Sequence, residues 1–444
     1  MVNLSNLDFI LVFVYFAILL VVGYFTSRKQ KDEDYLIAER KLGSWSTMAT
    51  INASKTGSIL MIFVALVYLW GFSALWYFIG MVLGILIFLP FALKLKENSQ
   101  QKFYTLADYF KYNYGKKSAV FASLLSIFLM FGFLVINLIA GTKIFVFFTG
   151  WSFWLCSIIM VFIVLLYLLM GGFKAVVKTD IIQYAAMIFI LGMLALLLFN
   201  GSLIPASEWN FFNADIGTIV GFFLAGILFP FAMPELWQRV YSSKNKLTLK
   251  RGLLMSVFVY TIFAFLLGLI ALTIKANFPG IDPDLALIHG FANLLPQGLL
   301  GLSVVLLFAA VMSSLDTYIY TGASAIVQDF FDWDKRKTVK NIRKVIFLLS
   351  IFGTLIAISL QSLILGSYIF VASLVILAVP VIATWIKKDI KQRTLIFGFV
   401  FGIMGFVIFL IMTIKEVTPT IVIVSLISTL IGLSLGGLVG LLRK

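Results

Sequence analysis

Apolar stretches of roughly 20 residues recur along almost the whole chain, with short polar connections between them. A helix rising about 1.5 Å per residue needs about 20 residues to cross a hydrocarbon core about 30 Å thick. The pattern therefore predicts an all-α bundle of membrane helices. Thirteen stretches are counted, centred near Phe16, Phe63, Gly84, Met130, Met160, Phe189, Leu228, Phe263, Leu307, Ile351, Ser373, Gly405 and Thr429. No connection has room for a separate soluble domain, so residues 1–444 read as one transmembrane domain.

Composition narrows the class further. The chain is 62% hydrophobic and 12% charged, with a mean hydropathy of +1.08, which no soluble globular class matches. Its formal charge of +15 would suit a nucleic-acid binder if the basic residues clustered on one face, but they follow topology instead. With the N-terminus outside and the C-terminus cytoplasmic, 30 of the 34 Lys and Arg residues fall on the cytoplasmic side. Lys275 and Lys415 stay outside, and Lys55 and Lys143 lie within spans. The charge is thus a topogenic signal, and no nucleic-acid partner is expected. The first span lacks basic residues before Asp8 and a small-x-small pattern before Arg28, so it is expected to be retained as a helix. A single cysteine, Cys156, and a single histidine, His289, offer no disulfide, metal cluster or histidine triad, which argues against an enzyme.

Polar residues at membrane depth are the candidates for function, because a charge at the centre of a membrane helix costs about 2.5–3.5 kcal/mol. Three spans carry them. The second, from Ser46 to Ser58, centres on Asn52-Ala53-Ser54-Lys55-Thr56-Gly57, residues that weaken a continuous helix. A broken helix is expected there; a kinked helix packed through small residues is the plainer alternative. The seventh span, Ile216 to Tyr241, holds Gly217, Gly221, Gly226, Pro230 and Pro234, and each proline removes a ladder donor. That predicts a second break within 226–234. Two interrupted spans so placed are the signature of inverted five-helix repeats, spans 2–6 (44–200) and 7–11 (215–386). One extra helix (8–27) precedes them and two (392–442) follow. The ninth span offers the oxygens of Ser313, Ser314, Asp316 and Thr317 within about one turn, suited either to a hard cation or to a Ser/Thr packing seam.

Several ordered motifs over roughly residues 35–335 carry a resemblance. They are Asp34-Tyr35-Leu36-Ile37-Ala38-Glu39-Arg40, Gly171-Gly172-Phe173-Lys174 leading to Asp180, Gln238-Arg239, Pro283-Asp284-Leu285-Ala286, and Ser313-Ser314-Leu315-Asp316. Together they resemble the sodium/solute symporter family, whose fold is the inverted-repeat architecture of the leucine-type transporters. The resemblance implies sodium-coupled symport of a small organic solute by alternating access, in the cell membrane. It also implies a sodium site built from the carbonyls of Thr50, Ala53 and Ala310 and the hydroxyls of Ser313 and Ser314. Asp180, Asp316 and Thr317 would contribute to a second cation site, although Asp180 also reads as a helix N-cap.

Two departures from the family pattern concern coupling and substrate. Relatives place a small or uncharged residue where this chain has Lys55, and three readings stand open for it. It pairs with Asp316, it replaces sodium as a tethered cation, or it binds an anionic group of the solute. The broken seventh span is nearly all apolar, which leaves Asn52, Ser54, Thr56, Trp76 and Asn137 as polar or aromatic solute contacts, with Phe229 as a gate. Alternatives to sodium symport are a sodium-independent exchanger or facilitator and a transporter-shaped sensor.

Overall fold

The computed structural model describes residues 5–28, 31–98, 103–200, 204–296, 299–331, 335–413 and 417–441. Lys29, Lys102, Lys415, Arg443 and Lys444, which the charge count used, lie outside the described residues. The α-helices are α1 (Asn6–Ser27), α2 (Asp32–Ile37), α3 (Ser44–Trp70), α4 (Leu75–Asn98), α5 (Leu106–Tyr114), α6 (Lys116–Thr149), α7 (Phe153–Asn200), α8 (Ile216–Ala232), α9 (Pro234–Ser242), α10 (Lys246–Asn277), α11 (Ala286–Leu294), α12 (Leu300–Phe330), α13 (Lys335–Leu360), α14 (Leu363–Ile386), α15 (Gln392–Thr413) and α16 (Thr420–Leu441).

Among the described residues, 10 helical stretches are long and apolar enough to cross a membrane, or 11 if the bent pair α8–α9 counts as one. Two of them are far longer than one crossing needs. Ser44–Asn98 runs 55 residues, about 80 Å at the helical rise, against a core about 30 Å thick. Each overlong stretch turns at a glycine in the left-handed region, Gly71 (φ +59°) in the first and Gly172 (φ +53°) within α7. At Gly172 a side chain would also strike the ring of Tyr35. The outer faces of the bundle are apolar: Phe13, Phe258 and Ile411 are 74%, 68% and 68% exposed. Large apolar side chains on that surface suit lipid, not water.

The core helices α3 and α12 are the most enclosed. Nearly every residue of α3 from Thr47 to Tyr68 is buried, as is almost all of α12 from Val304 to Ala325. These two helices pack against each other, with α6 and α7 against both and α10 against α3. The short α2 and the turn after it close one end. There Leu42 N–H donates to Ser242 O (3.1 Å), Lys244 N–H donates to Leu42 O (2.8 Å), and Tyr320 OH donates to Tyr35 O (2.8 Å). Ala38, Glu39 and Arg40 all carry left-handed backbone in that turn, at φ +49°, +51° and +56°. At the other end, Asp284 ties α6 to α14: it accepts from Lys143 Nζ (3.0 Å) and from Leu363 N–H (2.9 Å). The amphipathic α5 is capped by Thr105 and anchored by Tyr109 on Thr384 (3.0 Å).

Candidate functional site

Both expected helix breaks are present. In α3 the backbone leaves helical geometry at Gly57 (φ −42°, ψ −108°). In an unbroken helix the amides of Gly57 and Ser58 would donate to the carbonyls of Ala53 and Ser54. Here Gly57 N–H donates to Ser314 Oγ (3.0 Å) and Ser58 N–H donates to Asn137 Oδ1 (2.8 Å). The two carbonyls are taken up by α12. Ser313 Oγ donates to Ala53 O (2.9 Å), Ser314 Oγ to Ser54 O (2.8 Å), and Tyr318 OH to Ser54 O (3.1 Å). Ser313 also reaches Ala310 O (2.7 Å) on its own helix. Only glycine permits this approach, since a Cβ at residue 57 would collide with Ser314 Oγ and Asn137 Oδ1. The result is a buried cluster of neutral oxygens, the donor set that suits a hard monovalent cation. The second break falls between α8 and α9, at Met233, where the two helices bend by 42°.

One turn further along α12 lies a charged cluster. Asp180 and Arg239 are both fully buried and paired, with Arg239 Nη2 3.3 Å from Asp180 Oδ2. The same nitrogen donates to Thr317 Oγ1 (2.9 Å), and Thr50 Oγ1 donates to Asp180 Oδ2. Asp316 accepts from Tyr167 OH (2.8 Å) and Thr179 Oγ1 (3.4 Å). Among the described residues, Asp180 Oδ1, Asp316 Oδ1 and Arg239 Nε make no hydrogen bond, and neither carboxylate oxygen of the buried Glu235 does.

A cavity of about 60 Å³ lies beside the first break, between α3, α4, α6, α8, α12, α14 and α16. Lys55, Ser58, Tyr77, Phe133, Phe229 and Tyr318 are among its lining residues. The Lys55 ammonium is 5.2 Å from the centre of the Phe229 ring and makes no hydrogen bond among the described residues.

The structure sorts the expected residues by helix face. Ala53, Ala310, Ser313 and Ser314 converge, while Thr50, one turn earlier, gives its hydroxyl to Asp180. Asp180 and Thr317 meet as expected, but around the guanidinium of Arg239, so a side-chain cation stands where a second free cation was read. Lys55 and Phe229 line the cavity. Asn52 and Thr56 face a different space of about 200 Å³, shared with Tyr184, Tyr260 and Phe263. Ser54 faces α12 instead, and Asn137 holds the break through Ser58 while its amide donates to Phe133 O (2.8 Å). Trp76 binds Phe211 O (3.0 Å) at the α7–α8 connection; its neighbour Tyr77 is the one that lines the cavity. The Lys55–Asp316 pair does not form, because Asp316 is held by Tyr167 and Thr179. Nor does Lys55 join the neutral oxygens as a tethered cation; its ammonium lies on the cavity side. Arg239, counted as a cytoplasmic surface charge, is fully buried.

Comparison with known proteins places this geometry in context. The profile of the sodium:solute symporter family matches residues 35–384, well over half of the chain. The chain belongs to the sodium:solute symporter family. As a member of that family it is a multi-pass membrane transporter that couples sodium to a small organic solute, and not an enzyme. Its relatives include the osmoregulated proline transporter OpuE of Bacillus subtilis (strain 168), 25% identical over 346 residues, covering 72% of this chain and 70% of OpuE. A sodium/proline symporter of Staphylococcus aureus (strain bovine RF122 / ET3-1) is 26% identical over 358 residues, covering 74% and 69%. Among solved structures, a substrate-bound, outward-open Na+-coupled sialic acid symporter shares the fold, with a TM-score of 0.82 at 19% identity over 98% of both chains. Mhp1, a nucleobase-cation-symport-1 family transporter in a closed conformation, aligns with a TM-score of 0.60 at 13% identity, over 90% of this chain and 92% of that one.

Proposed function

We propose that this symporter binds one sodium ion at the crossing of α3 and α12 and carries its solute in the adjoining cavity by alternating access. The sodium ligands are the carbonyls of Ala53 and Ala310 and the hydroxyls of Ser313 and Ser314, with the Thr50 carbonyl completing the shell. The observation that carries the reading is the pair of helical amides at Gly57 and Ser58 turned sideways, which leaves the carbonyls of Ala53 and Ser54 to α12. In the sodium-bound state those hydroxyls would rotate their protons away and present lone pairs to the ion. Arg239 serves as the fixed cation for Asp180 and Thr317, so the coupling ratio is one sodium per cycle.

The topology that fits is thirteen spans in the cell membrane, N-terminus outside and C-terminus cytoplasmic, with Ser44–Asn98 and α7 each folded into two crossings at Gly71 and Gly172. Residues 44–200 and 215–386 form the inverted repeats, and the breaks at Gly57 and Met233 fall in the first helix of each. The solute is small and carries a carboxylate, as the proline-carrying relatives suggest. Uptake into proteoliposomes tests the proposal. An inward sodium gradient should drive accumulation of the solute, an equal potassium gradient should not, and binding without accumulation would make the protein a sensor.

A further inference from the structure

We propose that Lys55 anchors the carboxylate of a short, otherwise apolar monocarboxylate. The inference rests on the cavity being the solute site and goes further by naming the solute's chemistry. Lys55 is only 5% exposed, and its ammonium has three donors with no acceptor among the described residues. Burying a charge in that condition is costly unless a partner arrives. The Phe229 ring gives it an electrostatic contact at 5.2 Å but satisfies none of those donors. The buried Glu235 makes no hydrogen bond to it and does not line the cavity.

The rest of the cavity defines what the anion is attached to. Lys55 is the one charged residue among those lining it. Met81, Phe133, Phe222, Phe229 and Val371 give it a largely apolar wall. One cation and no carboxylate suit a monoanion. A dianion would carry a second, uncompensated charge into the site, and the ammonium of an α-amino acid would meet no counter-charge. Size points the same way. A cavity of about 10–15 Å³ holds one water, so about 60 Å³ holds a solute of roughly four to six heavy atoms. Short aliphatic or keto acids meet all three conditions.

Thermal unfolding of the purified full-length protein tests this with acetate, propionate and pyruvate as probes, against acetamide and propionamide as uncharged mimics and proline as the zwitterion. Each is titrated in sodium and again in choline. The acids should raise the melting temperature and the amides should not. Lys55→Met should lose the acid effect, weakening apparent affinity by about tenfold or more, while keeping its sodium-dependent shift as evidence of folding. Lys55→Arg should retain most of the acid effect and decides the matter if Lys55→Met does not fold. Acid shifts that persist in choline support the anchor even if sodium coupling fails. The proposal is overturned if amides stabilise as well as acids, if Lys55→Met responds to acids like wild type, if proline alone stabilises, or if no acid does.

Discussion

Two clusters stand one turn apart on α12 and answer the same problem in opposite ways. At Ser313 and Ser314 the broken helix offers neutral oxygens, and any positive charge there must come and go with an ion. At Asp316 and Thr317 the neighbouring Asp180 meets Arg239, a cation that cannot leave. A transport cycle needs the first kind of site to release its cargo and the second kind to keep the helices in register. The difference follows from chemistry at adjacent positions: neutral carbonyls and hydroxyls bind a hard cation reversibly, whereas a buried guanidinium–carboxylate pair is costly to part.

The sharpest way to break that contrast is at the fixed pair. Arg239→Ala leaves the Asp180 carboxylate buried and uncompensated, and should cost about 3–5 kcal/mol, seen as a collapse of the melting transition or loss of monodisperse protein. Next in size is Gly57→Ala, which pushes a methyl group into Ser314 and Asn137. It should cost about 1–3 kcal/mol as overpacking and abolish sodium-dependent uptake, because it separates α3 from α12. Replacing Ser313 and Ser314 together by alanine should weaken sodium binding by about tenfold or more while lowering stability far less than Arg239→Ala, the hydrogen bonds lost being neutral ones; isothermal titration with sodium measures it. The smallest effect is expected outside both clusters, at Glu39→Gly. Left-handed backbone costs a non-glycine residue about 1–2 kcal/mol, and glycine's greater freedom when unfolded returns about 0.5–1 kcal/mol. The net is a gain of up to about 1.5 kcal/mol, read as a small rise in melting temperature with transport unchanged.

Much of the plan was legible before any coordinates, and for local reasons. Glycine, asparagine and proline act on the backbone where they stand, so the breaks near Gly57 and before Pro234 could be read from residue type alone. Ser313 and Ser314, the α12 hydroxyls that meet the broken helix, were likewise marked through motif order. What periodicity missed was direction around α3. Asn52 and Thr56 share one face, Ala53 and Ser54 turn to α12, and Lys55 and Ser58 meet the cavity, so one polar run supplies three different environments. Reading Asn52, Ser54, Lys55 and Thr56 together as solute contacts merged them. Arg239 was missed because a basic residue near a span end reads as a topological signal; only the fold shows it turned inward against Asp180. Adjacent Gln238, which accepts from Thr321 on α12 (2.9 Å), was the available hint that this turn faces the core. Tyr318 was legible in principle, since it follows Ser314 by one turn on the same face.

The central claim is that the neutral oxygens between α3 and α12 hold the coupling ion. Melting of the purified protein in sodium, potassium and choline at equal ionic strength tests it most directly, for wild type and for the Ser313→Ala/Ser314→Ala double variant. A ligand that binds only the folded state stabilises by about 2.7 kcal/mol at a hundred times its dissociation constant. Wild type should therefore melt higher in sodium alone and the double variant should not. A sodium-specific shift that survives in the double variant, or one that is absent from wild type, would contradict the account.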